Sequence, residues 1–200
     1  MTEGTRKQPR LVLLCGLPAS GKTALAREIA DAYGAVRLNP DEWELALGID
    51  PFDAEFQVRL EAEFSRLTER LIALGTSVIL EWGFWARSER DEKRDLGRSL
   101  GAAVELRFLD VPYEELVRRV VARHAAGGIA VTEIHMERYL GSFQPPNAHL
   151  GRGGSGASGS NPFIAATSFA NRPKRTPDSL PVSSREMADW ARLQARDRSR

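Results

Sequence analysis

The sequence predicts an α/β domain built on a parallel sheet, and three observations carry that prediction. Short continuous apolar runs recur up to about residue 146, the pattern of strands covered on both faces. Stretches with apolar residues at helical spacing separate them, and such alternation builds a parallel sheet with crossover helices. The first run ends in a glycine-rich octapeptide that opens a helix, a junction that brings backbone amides to the end of a strand.

Arg10–Cys15 (RLVLLC) is the first strand, stopped by Gly16. A helix fits Lys22–Tyr33, with Leu25, Ile29 and Tyr33 on one face and Gly34 as its stop. Ala35–Leu38 is a short second strand. Phe56, Leu60, Phe64, Leu67, Leu71 and Leu74 step by three or four residues, a long amphipathic helix closed by Gly75. Thr76–Leu80 is a third, buried-type strand. Ser88 is a candidate cap for a polar helix running to Leu100, and Val104–Leu109 is the fourth strand. Pro112 suits the first turn of a helix carrying Leu116, Val120 and Val121, and Thr132 caps a last short helix through Leu140.

Beyond Pro145–Pro146 the composition changes. Gly151–Ser160 is almost entirely Gly, Ser and Ala, a linker composition with nothing to bury. Ser183 and Glu186 resemble a capping box ahead of Met187, Trp190 and Gln194, so a short terminal helix is expected. Residues 1–9 are expected to be a flexible lead, 10–146 the folded domain, and 147–200 a linker and basic tail.

Composition narrows the function. The 200 residues are 42% hydrophobic and 28% charged, enough of each to exclude wholesale disorder. No apolar run approaches the roughly 18 residues of a membrane span. MTEGTRKQPR has no apolar stretch of a secretory leader. A single Cys forms no internal disulfide, and Cys15 is expected as a small buried apolar residue in a cytoplasmic protein. From Asn147 onward there are 9 basic and 4 acidic residues, leaving 19 basic and 23 acidic in the body. That body is not the surface of a protein gripping long nucleic acid through many phosphates.

Gly16-Leu17-Pro18-Ala19-Ser20-Gly21-Lys22-Thr23 is a full G-x-x-x-x-G-K-[ST] pattern between a strand and a helix. Its glycines permit a tight turn in which successive N–H groups converge on phosphate oxygens, at the positive end of the helix dipole. Lys22 supplies a cation for the β- and γ-phosphates, and the Thr23 hydroxyl is a candidate Mg²⁺ ligand. A nucleoside triphosphate with Mg²⁺ is therefore the expected ligand, and the expected fold is a three-layer α/β/α P-loop NTPase with four strands and a candidate fifth. No guanine-reading N-K-x-D segment occurs, and the small size favours a phosphotransferase over a motor.

Asn39-Pro40-Asp41-Glu42-Trp43 follows the second strand, where strand ends flank the phosphate crevice. Asp41 is the candidate base for a substrate hydroxyl. The plainer alternative is that Asp41 or Glu42 caps a helical turn. Glu81, after the third strand, is a candidate for the magnesium shell or for orienting the acceptor, against the alternative of a surface glutamate. Trp43, Trp82, Phe84 and Trp85 divide between core and pocket wall, with Trp82 or Trp85 preferred over Phe84 for the wall. Arg119 and Arg123 share a helix face and are expected as lid arginines on the transferred phosphoryl group, the alternative being a solvated basic face. Arg87 and Arg90 are second candidates for an anionic substrate.

GLPASGKTALAREIA, NPDEW, SVILEWGFWARSERD and FLDVPYEELVRRVVARH resemble the small P-loop kinases of the AAA-type ATP-binding group, similar to polynucleotide kinase, chloramphenicol phosphotransferase and zeta-type toxin kinases. The likeness covers about residues 10–146. It implies ATP·Mg²⁺-dependent transfer to a hydroxyl, with Lys22 and Thr23 serving nucleotide and metal, Asp41 the base, and Arg119 and Arg123 the lid. Two departures stand out: Glu81 where many relatives carry Asp, and a Gly/Ser-rich stretch in place of the usual closing segment. Phe163–Thr167 is the candidate substitute strand. The expected acceptor is a small-molecule hydroxyl, with a 5′-hydroxyl nucleic-acid end less favoured. A nucleotide-dependent switch with little turnover, and an end-processing enzyme using the basic tail, are the competing functions.

Overall fold

Every residue of β1 (Arg10–Cys15) after the first is buried, and the strand sits at the middle of the sheet because both its faces are apolar. Leu11, Leu13 and Cys15 join one core cluster, while Val12 and Leu14 join the other with Ala26 and Ile29 of α1 (Lys22–Tyr33). Each such leucine contributes about 1.5–3 kcal/mol on leaving water, so a run without polar alternation is what a central strand requires. The computed structural model describes residues 7–127, 131–146 and 164–168.

The sheet order is β2-β3-β1-β4-β5, with β2 (Val36–Leu38), β3 (Val78–Gly83), β4 (Ala103–Asp110) and β5 (Ile164–Ser168), all neighbours parallel. Around it lie α2 (Pro40–Leu47), α3 (Ala54–Ala73), α4 (Arg87–Ser99), α5 (Tyr113–Ala125) and α6 (Glu133–Ser142). Phe64 and Ile72 of α3, Leu116 and Val120 of α5, and Met136 of α6 cover the face opposite α1. Layers on both faces give the expected three-layer α/β/α fold with a parallel sheet. On α4, Gly97 lets the helix approach closely, since a Cβ there would lie 2.8 Å from Leu11 and 2.7 Å from Val104.

Several boundaries differ from expectation for physical reasons. β3 runs on to Gly83, which pairs with Cys15 across a register shift, so Glu81 lies inside the strand. Asn39 caps α2 by accepting the Glu42 N–H at 3.1 Å, and Pro40 occupies its first position. The plainer reading of Asp41 or Glu42 as a cap is thereby replaced, and a two-turn helix stands where only a helical turn was considered. Ser88 is not the cap of α4. Ala86 holds that position, its N–H donating to the Glu89 carboxylate at 3.1 Å. Pro112 precedes α5 rather than opening its first turn. Thr132 caps α6 as expected, accepting the His135 N–H.

The candidate fifth strand is present as β5, one residue later than Phe163–Thr167, and pairs with β4 from Leu106↔Ile164 to Asp110↔Ser168. The Gly151–Ser160 linker and the helix expected after Ser183 lie outside the described residues. Among the described residues no helix is long and apolar enough to cross a membrane.

Candidate active site

The loop Gly16–Gly21 joins β1 to α1, and its shape depends on its glycines. A Cβ on Gly16 would sit 2.8 Å from Ser20 Oγ and 3.1 Å from the Leu109 carbonyl, so the loop closes only with glycine there. Gly21 takes φ +101°, in the left-handed region, and turns the chain into α1. The Gly16 N–H donates to the Gly83 carbonyl at 3.1 Å, tying the loop to β3.

No side chain caps the N-terminus of α1, and no acidic residue lies in its first turn. That end therefore keeps its partial positive charge and its unpaired amides directed outward, the chemistry of an anion site. Lys22 stands at this end, its Nζ donating to the Gly16 and Leu17 carbonyls at 2.9 Å each. Burial lowers the Lys22 pKa, and Asp41 is first among the groups opposing that fall, ahead of Cys15 and Glu81. Arg123 pushes in the same direction as burial. The fold thus brings Asp41 and Arg123, distant in sequence, into the electrostatic neighbourhood of Lys22.

Asp41 is exposed, in the first turn of α2. Its helix is anchored by a buried network. The Glu81 carboxylate, with no side-chain exposure, accepts Arg37 Nε at 2.6 Å and Asn39 Nδ2 at 3.0 Å. Arg37 Nη2 in turn reaches Glu42 at 3.0 Å. Burial raises the Glu81 pKa against the opposing pull of Arg37 and Asn39. Both Glu81 oxygens are engaged in holding the start of α2, and among the described residues no group of three His, Cys, Asp or Glu is arranged to hold a metal. Thr23 is half-buried in the first turn of α1, next to Lys22.

Arg119 Nη1 donates to the Ala19 carbonyl at 3.3 Å, across 100 residues, and its Nε donates to Glu115 at 2.6 Å. Glu115 also holds Arg118, and hydrogen bonds from both arginines bring its carboxyl down to about 2. Arg119 therefore already touches the phosphate loop, with Arg123 one turn further along α5.

Three of the four aromatics gather around Phe64, and the fourth, Trp85, joins a row of rings that spacing did not reveal. Phe84 is fully buried and Trp82 packs on Phe64 and Phe84, while Trp43 sets its edge on Phe64. Trp85 instead faces Tyr139 at 4.7 Å, and its buried Nε1 has no hydrogen-bond partner among the described residues. Tyr139 stacks on His135 at 6.2 Å, and His135 lies 5.1 Å from Phe52. These rings come from a loop after β3, from α6 and from the loop before α3, so no local pattern announces them.

Arg90 is not available to an anionic substrate. It is 5% exposed and braces the strained segment after β3, donating from Nη1 to the Phe84 carbonyl at 2.8 Å and the Trp85 carbonyl at 3.1 Å. Phe84 takes φ +49°, a left-handed conformation uncommon for a residue with a Cβ. Arg87 pairs with Asp91 at 3.5 Å. Cys15 is fully buried as expected, and burial pushes its thiol up to about 12.

Glu44, 1% exposed on α2, is the buried carboxylate that sequence patterning missed. Its Oε1 has no partner among the described residues. Burial first, then Asp41, Asp53 and Asp50, raises its pKa from 4.5 to about 7. A carboxyl raised on folding stabilises below its unfolded pKa, and that stability is lost as pH climbs through the folded value. Glu44→Gln should therefore raise the melting temperature by roughly 5 °C at pH 8, with about 3 kcal/mol as the ceiling, and by much less at pH 5. A thermal shift of equal size at both pH values would reject this account.

The AAA domain family matches residues 11–146, from β1 through the end of α6. The chain belongs to that family. Solved structures share the fold of this AAA domain. One is that of the Pnkp1/Rnl/Hen1 RNA repair complex, 24% identical over 68% of this chain and 44% of that one, with a TM-score of 0.58. The AAA domain chain thus spans less than half the length of that protein. A gluconokinase from Sinorhizobium meliloti is 18% identical over 94% of this chain and 95% of that one, TM-score 0.52. A sugar kinase from Janibacter sp. is 18% identical over 92% and 93%, TM-score 0.53. Comparison with curated proteins finds no match.

Proposed function

We propose that this AAA domain transfers the γ-phosphoryl group of ATP to the hydroxyl of an acceptor, a small molecule in preference to a nucleic-acid end. The observation that carries the reading is the uncapped, acid-free N-terminus of α1, with Lys22 at its mouth and Asp41 acting on Lys22. An anion site alone would fit any nucleotide-binding protein. A carboxylate set against it from the end of another strand adds a proton acceptor, which a phosphotransferase requires. The solved kinases of the same fold support the reading.

In this mechanism the loop amides and the positive end of α1 hold the β- and γ-phosphates. Lys22 exchanges its two carbonyl partners for phosphate oxygens. The Thr23 hydroxyl would hold Mg²⁺, a single protein donor that suits an ion keeping its waters and binding chiefly through substrate phosphates. When bound, magnesium neutralises charge on the β,γ oxygens. Asp41 accepts the proton of the acceptor hydroxyl as its oxygen bonds to the γ-phosphorus. The bond from that phosphorus to the β,γ-bridging oxygen breaks, and ADP leaves. Arg119 and Arg123 stabilise the charge of the moving phosphoryl group and exclude water. Glu81 acts at one remove, holding Asn39 and Arg37 so that α2 presents Asp41.

The test is a screen of labelled γ-phosphate transfer to hydroxyl compounds and 5′-hydroxyl oligonucleotides. Stoichiometric ADP with one acceptor class is the expected result. Tight ATP binding with no phosphorylated product across the screen would reject it in favour of a nucleotide-dependent switch. Arg119→Ala, which frees the Ala19 carbonyl, should lower kcat by about 10²-fold with nucleotide affinity changed much less. Equal kcat in the variant would remove Arg119 from the lid.

A further inference from the structure

When Lys22 Nζ turns to phosphate it leaves two carbonyls, those of Gly16 and Leu17, each of which accepts it at 2.9 Å. The two are not left alike. The Leu17 carbonyl also accepts the Ser20 N–H at 3.2 Å, whereas the carbonyl of the buried Gly16 has no second donor among the described residues. A buried carbonyl stripped of its donor is costly, so another donor is expected to take the place of Lys22. The structure holds one at the same spot. A Cβ on Gly83 would lie 3.4 Å from the Gly16 carbonyl oxygen and 2.6 Å from Trp85 Nε1, so carbonyl and indole N–H border one point at the end of β3. That Nε1 is buried and has no partner among the described residues. Folded proteins leave few buried donors unpaired, and each one asks for a reason. The Trp85 main chain is pinned, its carbonyl accepting the Gln144 N–H at 3.0 Å and Arg90 Nη1 at 3.1 Å. Its indole therefore moves by turning about its side-chain bonds, with no side chain on Gly83 in the way.

We propose that Trp85 is a positioning residue of the phosphate loop, its indole N–H taking the Gly16 carbonyl as phosphate draws Lys22 off it. The exchange leaves neither buried group unpaired in the nucleotide-bound state, and it holds the loop in shape while Lys22 serves the phosphates. Trp85 acts through Gly16 and touches neither nucleotide nor acceptor. The proposal rests on the phosphate loop alone and holds whatever receives the phosphoryl group. Ser20 Oγ, the other unpartnered buried donor of the loop, would lie 2.8 Å from a Cβ on Gly16 and is the competitor for that carbonyl.

The indole N–H magnetic resonance of Trp85, assigned by its loss in Trp85→Phe, reads the exchange in the isotope-labelled full chain. It should move downfield, as a hydrogen-bonded proton does, on adding the magnesium complex of a non-hydrolysable ATP analogue. It should stay in place with AMP, which lacks the β- and γ-phosphates that Lys22 serves. In nucleotide-free Lys22→Ala, where the carbonyl has lost its cation, the resonance should already sit downfield. Trp85→Phe keeps a ring against Tyr139 but no donor, and should bind the analogue about threefold to tenfold more weakly with its AMP affinity unchanged. A merely structural role would weaken both nucleotides alike and leave the Lys22→Ala signal at the wild-type position. A resonance unmoved by bound analogue, an equal shift with AMP, an unshifted signal in Lys22→Ala, or equal analogue affinity in Trp85→Phe would each overturn the proposal. So would weakened analogue binding in Ser20→Ala with the wild-type indole signal unmoved, which gives the carbonyl to Ser20. Phosphate transfer separates this claim from the preceding one. A chain that shows the shift but phosphorylates no acceptor rejects the phosphotransferase and leaves Trp85 in its role, whereas a wild-type chain that binds no analogue removes both.

Discussion

Lys22→Ala is expected to weaken ATP binding at least tenfold and to reduce phosphoryl transfer by about 10³-fold or more. The two losses have different origins. In binding, the variant forfeits charge-assisted hydrogen bonds, each contributing about 1.5–3 kcal/mol. In transfer, it also forfeits stabilisation of the charge that builds on the γ-phosphoryl oxygens, a contribution larger than ground-state binding. Lys22 is suited to this because burial lowers its pKa while Asp41 supports its charged form, so a polyphosphate meets a cation with little water to displace. The fold should survive, since among the described residues Nζ bonds two carbonyls at the loop mouth and nothing in the core. Calorimetric titration with ATP·Mg²⁺ and a thermal melt check both halves. Unaltered affinity in a folded variant would sink the phosphate-loop account and everything built on it.

Asp41→Asn should behave differently, keeping ATP affinity within a few fold while transfer falls by about 10²–10⁴-fold. Asparagine preserves the size and the first-turn position on α2 but cannot take up the hydroxyl proton. The structural cost is small because Asp41 is exposed and the cap of α2 belongs to Asn39. Losing one carboxylate at a helix N-terminus costs about 0.3–1 kcal/mol. A kcat equal to wild type at saturating acceptor would dismiss Asp41 as the base. Equal loss of nucleotide binding and transfer would instead make it a support for Lys22.

The strands and the phosphate loop were legible because each is a local pattern. RLVLLC, GLPASGKT and the leucine and phenylalanine spacing of α3 carry their structure within one or two turns of chain. Glu81 was harder. As a letter it marked an acidic group near a strand end, yet its two oxygens face Arg37 and Asn39 on a different strand and loop. Arg90 misled in the same way, since its charge suggested an anion while its donors brace the carbonyls after β3. Glu44 carried no signal in NPDEWE, where it looks like one more helix-surface acid.

From sequence alone came the parallel sheet, the anion-binding junction of β1 with α1, and the arginine face of α5, because strand burial, loop glycines and helix periodicity are properties of neighbouring residues. Tertiary structure decided which groups come together across elements: Asp41 within electrostatic reach of Lys22, Arg119 on the Ala19 carbonyl, Glu81 at the start of α2, and the rings from Phe52 to Trp85. Charge and hydrogen bonding act through space over a few ångströms, and parallel strands joined by long crossovers bring together residues that the chain keeps far apart.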